Sequence, residues 1–75
     1  MRAPTTSLAE QAYQAIKARI LALGLRPGQF VTEAELCQLL GQGRTPVHQA
    51  VHRLARESWL DIRPRKGLEI GRAHV

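Results

Sequence analysis

Between Leu40 and Arg44 the chain holds only Gly41, Gln42 and Gly43, and helical periodicity lies on both sides of this connection. A link that short, bounded by glycines, forces two helices to cross at a steep angle. Pro46 is tolerated only in the first turn of a helix, which places the start of the second of the pair near residues 43–45. From there Val47, Ala50, Val51 and Leu54 recur at i, i+3, i+4 and i+7, one apolar stripe on a helix expected over about 44–57. Arg44, Thr45, His48, Gln49, His52, Arg53 and Arg56 are left over, and most of them project away from the stripe. Such a face supplies donors for guanine and phosphate oxygens and an amide able to pair with adenine. The plainer reading is an ordinary solvated helix face.

Charge favours the first reading. The net charge is +5 in 75 residues, and of this residues 1–43 carry +1 and residues 44–75 carry +4. A basic second half points to a polyanionic partner, nucleic acid or an anionic surface. No apolar run reaches membrane-spanning length, which weakens the membrane alternative. Cys37, the only cysteine, cannot form an internal disulfide, so a reducing, cytoplasmic address is expected. At this length there is room for one small domain and none for a second, catalytic one.

The remaining segments can be placed around the helix pair. Residues 1–7 read as a flexible arm. Ser7-Leu8-Ala9-Glu10 matches a capping box, so a first helix is expected over 8–23, with Leu8, Ala12, Ile16 and Ile20 inward, Tyr13 and Leu23 beside them, and Gly24 as a left-handed C-terminal cap. Arg26-Pro27-Gly28-Gln29 suits a type II turn, and Phe30-Val31 is long enough for one rung of a small sheet. Thr32-Glu33-Ala34-Glu35 forms a second capping box, followed by a short helix over 33–40 with Leu36, Leu39 and Leu40 inward. After the third helix, Trp59-Leu60-Asp61-Ile62-Arg63 and Gly67-Leu68-Glu69-Ile70 alternate apolar and polar residues as two strands, joined by a turn with a basic tip, Pro64-Arg65-Lys66-Gly67. Three helices and a basic hairpin make a mainly α winged helix-turn-helix over residues 8–71, and residues 72–75 read as the start of a linker, the pattern of a fragment.

In their order and spacing, Leu25-Arg26-Pro27-Gly28, Thr32-Glu33-Ala34-Glu35-Leu36, Leu40-Gly41, Arg44-Thr45-Pro46-Val47, Ala50-Val51-His52-Arg53-Leu54 and Pro64-Arg65-Lys66-Gly67 resemble the amino-terminal DNA-binding domain of GntR-type bacterial transcription regulators. The resemblance covers roughly residues 8–70. It implies that Arg44, His48 and Gln49 face the major groove of an operator while Thr45 supports backbone contacts, and that Arg65, Lys66 and Gly67 of the wing approach the backbone or minor groove; His52 and Arg53, further along the helix, are also expected to contact DNA. It implies also a homodimer on an inverted repeat, held by a carboxy-terminal domain, so that the isolated domain is expected to be monomeric. The sequence departs from the family at Gly43, where a capping serine is usual, at His48, where an arginine is usual, and at Ala34, where some members carry an arginine.

The same residues admit other readings. Arg53 lies four residues before Glu57, and an intrahelical ion pair competes with a DNA contact. His48 and His52 have the spacing by which two imidazoles can share a metal, but no acidic or cysteine ligand accompanies them, so no metal is expected. Cys37 fits a core thiol, and Trp59 a core anchor between helix three and the wing. Glu10 and Glu35 are assigned to their caps, and Glu33 and Asp61 lack a paired carboxylate or nucleophile; no catalytic residue and no cofactor are expected. The alternative to DNA binding is a winged helix serving as a protein-interaction module.

Overall fold

The computed structural model describes residues 7–71, in the order α1 (Leu8–Leu21), β1 (Phe30–Val31), α2 (Glu33–Leu40), α3 (Arg44–Arg56), β2 (Leu60–Arg63) and β3 (Gly67–Ile70). The arm, apart from Ser7, and the segment 72–75 with His74 lie outside the described residues. The strands form one antiparallel sheet in the order β1-β3-β2, with Val31 opposite Leu68 and Leu60 opposite Ile70. The architecture is the three-helix domain with a wing, and Phe30-Val31 supplies the third strand.

Each element is present because its apolar residues meet at one centre. Ala12, Tyr13, Ile16 and Ile20 of α1, Leu36 of α2, and Val47, Ala50, Val51 and Leu54 of α3 are all buried, and Leu60, Leu68 and Ile70 close the core from the sheet. Burying one such aliphatic side chain contributes about 1.5–3 kcal/mol, so the stripe on α3 alone anchors that helix firmly. Cys37, Leu40 and Trp59 are half-buried at the edge of this core.

Several expectations are corrected. Leu8, Leu23, Leu39 and Ile62 are exposed rather than inward. Leu8 sits at the open N-terminal end of α1, Leu39 on the flank of a helix whose inward line is Leu36 and Leu40, and Ile62 on an edge strand. The first helix ends at Leu21 and not at residue 23. The left-handed residue that closes it is Leu23, at φ 63°, not Gly24. Gly24 N–H reaches the Arg19 carbonyl at 2.8 Å and Leu23 N–H the Ile20 carbonyl at 3.1 Å, the paired bonds of a Schellman motif. The reversal falls one residue early because the chain must bring both Ile20 and Leu25 into the core. The same device ends α3, with Ser58 at φ 68° and Trp59 N–H on the Leu54 carbonyl at 2.9 Å.

The connections behave as the turn chemistry requires. Gly28 has φ 86°, as the third residue of a type II turn must, and its N–H reaches the Ile70 carbonyl at 2.8 Å, extending the β1–β3 ladder. Thr32 and Glu35 make both halves of their capping box, at 3.0 and 2.8 Å. Gly41, at φ 67°, caps α2, and Gly43 precedes α3 without a side-chain cap.

Candidate nucleic-acid interface

The short turn and the buried stripe together decide which side of α3 is free. Its exposed positions are Arg44, Thr45, His48, Gln49, His52 and Arg56, and every one of them is polar. Arg44 and Thr45 stand at the N-terminal end, where the unpaired amides of the helix add partial positive charge. One turn on, His48, Gln49, His52 and Arg56 line a single shallow depression, with the His48 and His52 rings 4.4 Å apart between centroids and tilted by 57°. Arg56 therefore joins the expected group, as its spacing of four from His52 already allowed.

His48 has a partner that linear spacing did not reveal. Its Nδ1 lies 2.8 Å from Oε2 of Glu33, on the first turn of α2, so the two helices of the pair are joined by a side-chain bridge across their crossing. Glu33 takes no part in the capping box of α2, which Thr32 and Glu35 make; the packing of α2 against α3 brings Glu33 and His48, 15 residues apart, together.

Arg53 is placed apart from these exposed positions. Its Nη1 donates to Glu10 Oε1 of α1 at 2.6 Å, its guanidinium lies 3.7 Å above the centre of the Tyr13 ring, and its Nε is 3.6 Å from Glu57. Tyr13 donates its hydroxyl proton to the Glu57 carboxylate, and Lys17 Nζ lies 5.1 Å from the centre of the Trp59 ring. This network clamps α1 to the C-terminal half of α3. It also corrects the first capping box: Ser7 accepts from the Glu10 amide at 3.0 Å, but the Glu10 carboxylate turns to Gln14, at 3.0 Å, and to Arg53.

The electrostatics follow these contacts. Hydrogen bonds from Gln14 and then Arg53 hold the Glu10 carboxyl below its ordinary range. The Tyr13 hydroxyl does the same for Glu57, helped by the Arg53 charge. The hydrogen bond to Glu10 raises Arg53 in turn.

The wing is a separate basic projection. Pro64 and Arg65 occupy the centre of a turn closed by Lys66 N–H on the Arg63 carbonyl at 3.1 Å, and Arg65 and Lys66 are exposed. Arg65 has φ 69°, a conformation costly for a side chain with a Cβ. Gly67 has φ 108°, and a Cβ there would sit 2.8 Å from the Val31 carbonyl oxygen, so the wing can close onto β1 only with glycine at this position. Arg63 is held within the sheet by Glu69 at 2.9 Å.

Among the described residues no group of three or more His, Cys, Asp or Glu side chains could hold a metal ion, and no helix is long and apolar enough to cross a membrane.

Comparison with known proteins agrees with this geometry. The fold resembles a solved structure of Lar, described as controlling the expression of the Listeria monocytogenes agr system, with a TM-score of 0.84 at 19% identity over 97% of this chain and 34% of that one. The sequence is 41% identical over 59 residues to an uncharacterized HTH-type transcriptional regulator of the TAR-I ttuE-ttuC' intergenic region of Agrobacterium vitis, covering 79% of this chain. The chain spans only 34% of that relative's length. Residues 8–70, the whole of the three helices and the wing, match the bacterial regulatory proteins of the gntR family, and the chain belongs to that family.

Proposed function

We propose that this domain binds a specific double-stranded operator in the cytoplasm as the DNA-reading part of a gntR-type transcriptional regulator. The observation that carries the reading is that all six exposed positions of α3 are polar while its opposite side is core. A protein-interaction module would need apolar groups on that face; the large exposed apolar residues, among them Leu21, Leu23 and Phe30, lie on other elements.

In this reading α3 lies in the major groove, with Arg44, His48 and Gln49 nearest the base edges, Thr45 on the backbone and His52 and Arg56 towards the rear. Arg65 and Lys66, with Gly67 behind them, reach phosphates or the minor groove. Arg53 serves mainly to hold α3 against α1, which removes it from the principal contacts. The regulator acts as a homodimer on an inverted repeat, and one isolated domain binds weakly because it lacks the linked second module.

The test is selection of bound sequences from a random duplex pool, followed by titration of the selected duplex at several salt concentrations. Affinity should fall steeply with salt. Arg44→Ala should weaken binding by about 1–3 kcal/mol and relax the preference at one position. Affinity independent of salt, or selection of no sequence, overturns the proposal.

A further inference from the structure

His48 stands exposed in the middle of the α3 reading face, and Glu33 holds one of its ring nitrogens at 2.8 Å from across the helix crossing. A carboxylate can only accept hydrogen bonds, so the nitrogen that faces it must carry the ring proton. In a neutral imidazole the other nitrogen is then a bare acceptor. Glu33 faces Nδ1, which leaves Nε2 as that acceptor. The ring keeps 57% of its exposure, and His52 packs against it from the next turn of the same helix, so the imidazole is held in orientation as well as in tautomer.

We propose that Glu33 is a positioning residue for sequence reading: by fixing the proton of His48 on Nδ1 it makes His48 an acceptor, which favours a base whose major-groove edge donates. The amino groups of adenine and cytosine donate there, whereas guanine offers only acceptors. In its neutral form His48 therefore selects adenine or cytosine at its position and rejects guanine. The inference rests on the proposed DNA-binding role, and it adds a residue of α2 to the determinants of specificity without any contact between that residue and DNA. A carboxylate orienting a histidine in this way is familiar at metal and catalytic sites, where the bond made by one ring nitrogen sets what the other can do.

Two measurements on the 75-residue chain test it. The first is nitrogen spectroscopy of the imidazoles at about pH 8, where an ordinary imidazole is neutral. His48, assigned by its loss in His48→Gln, should carry its proton on Nδ1, and in Glu33→Gln, where an amide can either donate or accept, it should move toward a mixture of tautomers. A proton on Nε2 in the wild type overturns the proposal, and this readout needs no DNA. The second is selection from a random duplex pool. Glu33→Gln should lose preference for adenine or cytosine at one position by roughly threefold to tenfold, the worth of one neutral hydrogen bond, with the positions dependent on Arg44 unchanged. Retention of the full wild-type preference by Glu33→Gln overturns the inference and leaves the DNA-binding role standing. Failure of the wild type to prefer any duplex overturns both, whatever the tautomer.

Discussion

Arg65 combines a backbone cost with a charge at the tip of the wing, and replacing it with glycine separates the two. At φ 69° the residue occupies the left-handed region, which costs an L-residue about 1–2 kcal/mol. Glycine removes that cost but makes the unfolded chain more flexible, which takes back about 0.4–1 kcal/mol. Arg65 is exposed and its side chain adds nothing to the core, so no packing is lost. The net expectation for Arg65→Gly is a gain of about 0.5–1 kcal/mol, or a rise in Tm of about 2–8 °C for a domain of this size. Ser58 supplies the control. It has φ 68°, is exposed at the end of α3 and carries no charge, so Ser58→Gly should give a similar rise.

The two variants should differ only on DNA. Loss of one phosphate contact lowers the slope of log affinity against log salt by about 0.9. Arg65→Gly should show that change and Ser58→Gly should not. Thermal unfolding followed by circular dichroism, and salt titrations of a selected duplex, measure both. A Tm that falls in both variants refutes the argument from backbone strain. A salt slope unchanged in Arg65→Gly refutes the placement of this arginine on a phosphate.

Gly67→Ala should act in the opposite direction from Arg65→Gly, because the new Cβ would meet the Val31 carbonyl oxygen at 2.8 Å at a φ of 108°; a loss of about 2 kcal/mol or more is expected, read as a lower urea midpoint with an unchanged m-value. Gly43→Ser should add a few tenths of a kcal/mol by capping α3, which has no side-chain cap; a lower Tm would count against the assigned helix start. The depressed carboxyls of Glu10 and Glu57 contribute stability that is complete above the ordinary carboxylate range and is lost as pH falls through their lowered values. A Glu10→Gln, Glu57→Gln double variant should therefore lose less stability than the wild type between about pH 5 and pH 2, and equal losses would show that these pairs do not govern the acid limb.

Local signals were legible wherever the cause was local. Pro46 and the link from Gly41 to Gly43 fixed the helix crossing, the Thr32–Glu35 box fixed the start of α2, and Pro27-Gly28 fixed its turn. The stripe of Val47, Ala50, Val51 and Leu54 was readable because a helix period needs nothing outside the helix. What was not legible depended on tertiary placement. Glu10 fits a capping box by spacing, yet its carboxylate finds a guanidinium 43 residues away. Spacing shows Glu33 without a paired carboxylate or nucleophile and says nothing of His48, which reaches it only once α2 and α3 pack together. Leu39 and Ile62 satisfy an inward pattern but lie where neither helix nor sheet has a neighbour to cover them.

Those two hidden contacts bear on recognition in the same way. A reading helix discriminates bases only if its side chains are held near the geometry of the contact, since each bond formed by a wandering side chain loses about 0.5–1.5 kcal/mol to ordering. Here α3 is held at two points by side chains of other helices: Glu33 of α2 grips His48 on the exposed face, and Glu10 and Tyr13 of α1 grip Arg53 on another side of the helix, nearer its C-terminal end. The ordering of these groups occurs when the domain folds, before any DNA is met. It follows that variants at Glu10 or Tyr13 should weaken binding to all sequences alike by loosening the seat of α3, whereas a variant at Glu33 should change which sequence is preferred. A change of preferred site in Glu10→Gln would contradict this division and return Arg53 to the groove face.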